Sequence, residues 1–137
     1  MTLPEQLKIL VVEDEPTDVM LLRRRLQQQT ETHVDIVDVS DENDVLDVLE
    51  SRHFDLMFLD NSLVRKTGIE VLREIRQAGH LLGVILFTGV FDERIRVELD
   101  ELQCNAVLEK GDATPETLKE AMLQAFNGAS ERIEQPQ

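Results

Sequence analysis

Glu13, Asp14, Asp60, Thr88 and Lys110 are the residues whose types and placement can do chemistry together. Each follows a short apolar run: residues 7–12 end in Glu13-Asp14-Glu15, 56–59 in Asp60, 84–87 in Thr88-Gly89, and 106–108 in Glu109-Lys110-Gly111. If the runs are parallel strands, all five residues lie at one edge of a sheet. Carboxylates crowded there repel one another, so they are either partly protonated or neutralised by a cation. An all-oxygen donor set suits Mg²⁺, which keeps several waters. Glu13, Asp14, Asp60 and the backbone carbonyl of Ser62 would leave octahedral positions for water and a phosphoryl oxygen. Lys110 adds a positive point charge and Thr88 a hydroxyl donor for the same anion. An aspartate beside such an ion can act as a nucleophile and take a phosphoryl group as an acyl phosphate. Charge placement then matters more than proton transfer, and no histidine is required. His33, His53 and His80 have no ligand-like spacing and read as exposed or loop residues.

The elements that must position these residues are legible from periodicity. Residues 7–12, 56–59 and 84–87 are runs rich in Val, Ile, Leu and Phe, the pattern of interior strands, and Ala106-Val107-Leu108 reads as a short fifth strand. Residues 33–39 alternate partly, which suits an edge strand. Between them lie helical patterns. Pro16 suits a first helical turn, and Val19, Leu22 and Leu26 share a face in a helix over 17–28; Val45, Leu46, Val48 and Leu49 mark a second, reaching about Arg52. Val71, Leu72 and Ile75 mark a third, ended by Gly79; Asp92 caps a fourth with Ile95, Leu99 and Leu102 inward; Thr114-Pro115 opens a fifth with Leu118, Met122 and Phe126. Five strands alternating with five helices predict an α/β doubly wound parallel sheet. The domain is expected to span 1–128, with 129–137 a frayed, disordered polar tail.

Composition narrows the function classes. At 137 residues and 42% hydrophobic content the chain fits one domain with a core. The net charge of -14 opposes phosphate backbones and anionic lipid, so neither nucleic acid nor membrane is an expected partner. Nothing reads as a signal sequence, no apolar run is long enough to span a bilayer, and Cys104, the one cysteine, has no second cysteine for an intrachain disulfide and reads as a small buried hydrophobe, so a cytoplasmic setting is expected. Arg23-Arg24-Arg25 reads as a solvated helix face, with a docking patch as the alternative.

Over about residues 7–127 the sequence resembles the receiver domains of two-component response regulators. Val12-Glu13-Asp14 resembles the family's acidic pair, Leu59-Asp60 its phosphoacceptor, Gly68 the glycine of the following loop, Thr88-Gly89 its hydroxyl and small neighbour, and Lys110 its lysine. The resemblance implies a flavodoxin-like strand order 2-1-3-4-5. It also implies Mg²⁺-dependent phosphorylation of Asp60 by a sensor histidine kinase or histidine phosphotransfer protein, slow self-dephosphorylation, and no turnover of an external substrate. Three positions depart from the family's pattern: Val64 and Gly111 replace prolines, and Val107 replaces the aromatic that many members use as a switch.

The leading reading is a single-domain response regulator acting on an unidentified downstream protein, as a monomer or a phosphorylation-dependent dimer. The alternative is a constitutive receiver-like interaction module without phosphorylation. An aspartate-dependent phosphatase fits poorly, because Ser62 stands where a second acid is needed. With Val107 too small and apolar to act as a rotating aromatic, the expected output element is the loop Gly89-Val90-Phe91 and the fourth helix, drawn by Thr88.

Overall fold

The computed structural model describes residues 2–104 and 106–134, with side chains through Ser130. Five parallel strands, β1 (Gln6–Val12), β2 (His33–Val39), β3 (Leu56–Leu59), β4 (Gly83–Thr88) and β5 (Ala106–Glu109), form one sheet in the order β2-β1-β3-β4-β5. The central strands β3 and β4 are buried along their whole length, whereas β2, at an edge, alternates between buried and exposed residues. Helices α1 (Pro16–Leu26), α2 (Val45–Ser51), α3 (Gly68–Gln77), α4 (Arg96–Glu101) and α5 (Pro115–Glu134) complete the expected doubly wound α/β architecture.

Because strand side chains alternate, the sheet has two separate cores. Ile9, Val11, Phe58, Ile85 and Phe87 face one side with Leu22 and Leu26 of α1 and Leu118 and Met122 of α5. Leu10, Val12, Met57, Leu59, Val84 and Leu86 face the other with Leu49 of α2, Leu72 and Ile75 of α3, and Leu99 of α4. Gly83 sets the approach of α5: a Cβ there would come within 2.5 Å of the Ala125 carbonyl oxygen, so β4 and α5 meet backbone to backbone.

Two expectations are corrected. The fourth helix is short: Asp92 caps a 3-10 turn, Glu93–Ile95, and only then does α4 run for six residues. Leu99 is its buried residue, while Ile95 and Leu102 flank it, half-buried. Gln103, at φ 60°, turns the chain out of the helix just after Leu102, and Ile95 and Leu102 both pack against the core as their spacing implies. At the other end α5 does not stop at Gly128. It continues to Glu134, with Gly128 and Ala129 both buried, because one glycine inside a helix costs only about 1 kcal/mol and the packing of this face offsets it. Residues 135–137 of the expected tail lie outside the described residues.

Candidate functional site

Strand register brings the sequence candidates together. Val12 pairs with Leu59, Leu59 with Leu86 and Leu86 with Val107, so the carboxyl ends of β1, β3, β4 and β5 are nearly level. Glu13 and Asp60, both buried, therefore emerge side by side, and a carboxylate oxygen from each of Glu13, Asp14 and Asp60 lies within 4.8 Å of the others. Lys110 reaches this group from the end of β5. Its Nζ is 2.7 Å from Glu13 Oε2, 2.8 Å from Asp18 Oδ2 and 3.5 Å from Asp60 Oδ2. The Ser62 amide donates to Asp60 Oδ1 at 3.2 Å, and the Glu15 amide to Glu13 Oε1 at 3.1 Å, which fixes both carboxylates.

The electrostatics follow from burial. Removal from water pushes the Glu13 carboxyl up from 4.5 to about 7; the Lys110 hydrogen bond and the Glu15 amide work against this, while the charge of Asp60 adds to it. Burial alone would lower the Lys110 ammonium, but hydrogen bonds to Asp18 and Glu13, with the charge of Asp60, outweigh it and hold the amine charged. Glu13, Asp18 and Asp60 share one ammonium and Asp14 stands beside Glu13 and Asp60, so negative charge exceeds positive charge and the buried Glu13 holds its proton more tightly than an exposed glutamate does.

Thr88 is buried at the end of β4, but its hydroxyl takes no part in the hydrogen bonds joining Lys110 to the acids. Ser62 meets Asp60 through its amide and pairs with Thr67 across the loop. Asp18 is a site residue that the sequence reading misses. The signal available is its place in the first turn of a helix that starts at the sheet's carboxyl edge. Of the arginine triplet, Arg23 pairs with Asp38 beside β2 while Arg24 stays exposed. Val107 is half-buried on the α4 side. Phe91 is half-buried too, its amide donating to Glu109 Oε2 at 3.0 Å and its ring lying 4.7 Å from the Arg96 guanidinium carbon. Cys104 is buried, its thiol 3.4 Å from the Val84 and Ala106 carbonyls. His33 and His53 are exposed, and His80 lies half-buried in a loop away from the site.

The donor set suits Mg²⁺. Glu13, Asp14 and Asp60 offer oxygen only, they converge from two strand ends, and their excess negative charge over Lys110 is what a divalent cation would neutralise.

Comparison with known proteins agrees with this geometry. The sequence model of the response regulator receiver domain matches residues 9–123. The transcriptional regulatory protein PhoP of Bacillus subtilis, for alkaline phosphatase synthesis, is 34% identical over 95 residues, which cover 67% of this chain and 38% of PhoP. The sensor protein EvgS of Escherichia coli K12 is 31% identical over 83 residues, 61% of this chain and 7% of EvgS. The chain thus spans well under half the length of these relatives. Among solved structures, a CheY-like receiver domain protein from Methanospirillum hungatei superposes with a TM-score of 0.76 at 20% identity, covering 93% of this chain and 98% of that one. The Thermotoga maritima response regulator TrrA, solved in complex with Mg²⁺-BeF, gives 0.63 at 28% identity over 74% of this chain and 84% of that one. The chain belongs to the response regulator receiver domain family, whose members serve two-component signalling.

Proposed function

We propose that Asp60 accepts a phosphoryl group from the phosphohistidine of a sensor histidine kinase or histidine phosphotransfer protein, and that the altered surface then binds another protein in the cytoplasm. The observation that carries this reading is the convergence of Lys110 on Glu13, Asp18 and Asp60, which puts an ammonium beside a buried carboxylate at the sheet edge. Among the described residues no helix is long and apolar enough to cross a bilayer.

In the proposed reaction an Asp60 carboxylate oxygen forms the new bond to phosphorus while the phosphorus–nitrogen bond of the donor imidazole breaks, its electron pair staying on the ring. The Ser62 amide orients Asp60 so that its second oxygen, on the Lys110 side, faces the donor. Mg²⁺, held by Glu13, Asp14, Asp60 and the Ser62 carbonyl, would offset charge on the phosphoryl oxygens. Lys110 is drawn from Asp18 and Glu13 toward the phosphoryl group, and Thr88 supplies a hydroxyl donor. That pull moves the loop Gly89-Val90-Phe91, where Val90 is 83% exposed and Gly89 has open space around its Cα. TrrA, crystallised with Mg²⁺-BeF, supports the choice of metal and of a phosphoryl-like ligand.

The test is labelling with a small acyl-phosphate donor, read by intact-mass spectrometry. One phosphoryl group is expected with Mg²⁺ present and none in Asp60→Asn. Unchanged labelling of that variant would refute the assignment, and an unlabelled wild type would favour a constitutive interaction module.

A further inference from the structure

The loop from Asn61 to Thr67 contains no proline, so no ring restricts its backbone, and its shape comes from bonds and from half-buried Leu63, which packs against the core. Most of the bonds are internal to the loop or to the helix it enters. The Gly68 amide donates to the Asn61 carbonyl at 3.0 Å, Ser62 bridges Thr67, Thr67 caps α3 by accepting from the Glu70 amide, and Lys66 pairs with Glu74 at 2.7 Å. These bonds and the Leu63 contact close the loop and seat its first half. Glu42 ties the tip at Arg65 to the turn before α2. It lies in the 3-10 turn Glu42–Asp44 that leads into α2, and its carboxylate accepts from the Arg65 amide across 23 residues of sequence. Asn43 and Asp44 of the same turn are exposed, whereas Glu42 is 4% exposed. A carboxylate is not buried at the head of a turn for packing; its burial is tolerated because the amide is there to receive it. The neighbouring Arg65–Asp41 pair, at 3.6 Å between two largely solvated side chains, holds far less.

We propose that Glu42 is a positioning residue for the phosphoryl site: through the Arg65 amide it holds the loop so that the Ser62 amide stays on Asp60 Oδ1 and the Ser62 carbonyl stays available to the metal. The inference rests on the proposed function only for its metal. A pin on the loop matters because the Ser62 amide, three residues from Arg65, makes a bond of 3.2 Å to Asp60 that a drifting loop would lose. Outer contacts of this kind change metal affinity by about 10- to 100-fold in other proteins.

Amide exchange of the metal-free wild type and calorimetric Mg²⁺ titration of wild type, Glu42→Ala and Glu42→Gln decide the matter together. In the wild type the Arg65 amide is expected to be protected although its side chain is exposed, and fast exchange there overturns the proposal whatever the variants do. Glu42→Ala should lose that protection and weaken Mg²⁺ binding about 10-fold. Glu42→Gln keeps an acceptor oxygen without the charge and should recover most of both. Equal loss in the two variants would show that charge, not the bond, is what matters, and would overturn the positioning role. Wild-type Mg²⁺ binding with an unchanged Glu42→Ala affinity overturns this proposal alone; a wild type that binds no Mg²⁺ overturns the functional reading and this proposal with it.

Discussion

The two halves of the sheet's carboxyl edge are built differently. On the β1–β3 side, Glu13 and Asp60 are buried and bonded, and the loop after Asp60 is closed on itself and anchored by Glu42. On the β4–β5 side, the chain after Thr88 passes through Gly89, where an added Cβ would meet nothing within 4 Å, through exposed Val90, and into a 3-10 turn and a six-residue helix. The far end of α4 is nonetheless held. The Arg76 guanidinium donates to the Leu102 carbonyl at 2.8 Å and the Gln103 carbonyl at 3.2 Å, and to those of His80 and Leu82 from the other side. Under the proposed function this contrast is a division of labour: one half holds Asp60 in place, and the other, open at Gly89-Val90, tied at Phe91 to Glu109 and fixed near Gln103, carries the movement. Lys110 joins the halves, because it stands just past β5 and bonds to acids at the ends of β1 and β3 and on α1.

Four measurements would break or sharpen that contrast. The largest effect is expected from Gly68→Ala. A Cβ there would lie 2.6 Å from the Asp60 carbonyl oxygen and 2.9 Å from the Asn61 Cα, so backbone must shift, at a cost of roughly 1–3 kcal/mol. Gly89→Ala, in open space, should change stability by less than about 0.5 kcal/mol. Urea denaturation of both variants checks the difference, and equal losses would erase it.

Glu13 gives a pH dependence of comparable size. Its folded value near 7 lies above the ordinary 4.5, so between the two the folded protein keeps a proton that the unfolded chain has released. Stability from this group is therefore full below about pH 4.5 and is lost as pH rises through about 7. The loss is on the order of 2–3 kcal/mol in metal-free protein. Denaturation at pH 5 and pH 8 should show a steeper fall in the wild type than in Glu13→Gln. Added Mg²⁺ should restore stability mainly at pH 8, where it meets an ionised Glu13.

Asp18→Asn should cost less, about 1 kcal/mol, because Asp18 is only partly buried and Lys110 keeps Glu13 and Asp60. It should also speed the transfer of Lys110 to a phosphoryl group, raising the labelling rate; an unchanged rate would separate Asp18 from the chemistry. The smallest signal is in hydrogen exchange with a phosphate mimic such as beryllofluoride. Residues 89–100 should change protection while 61–68 change little, and the opposite pattern would move the switch to the anchored half.

Most of the fold is readable from sequence because its signals are local. A strand buried on both faces writes itself as an unbroken apolar run, and Asp60 and Thr88 stand out as the polar residues that end such runs, with Lys110 just past the shorter run 106–108. In the α4 region the inward face is legible, since Ile95, Leu99 and Leu102 all pack against the core, but helical spacing does not distinguish one long helix from a 3-10 turn, a short helix and a left-handed exit at Gln103. The end of α5 misleads because Gly128 resembles a stop, when in place it is part of a helix that packs closely on the sheet.

The sequence alone therefore determined which residues could carry the chemistry and on which edge they stand, since both depend on composition and period. Only the tertiary structure decided who holds them. Asp18 meets Lys110 across 92 residues, and Glu42 meets Arg65 across 23. Along the chain these acids are two more charges in an acidic sequence, and only the folded sheet edge, by burying Glu42 and bringing Asp18 to the Lys110 ammonium, turns them into specific partners.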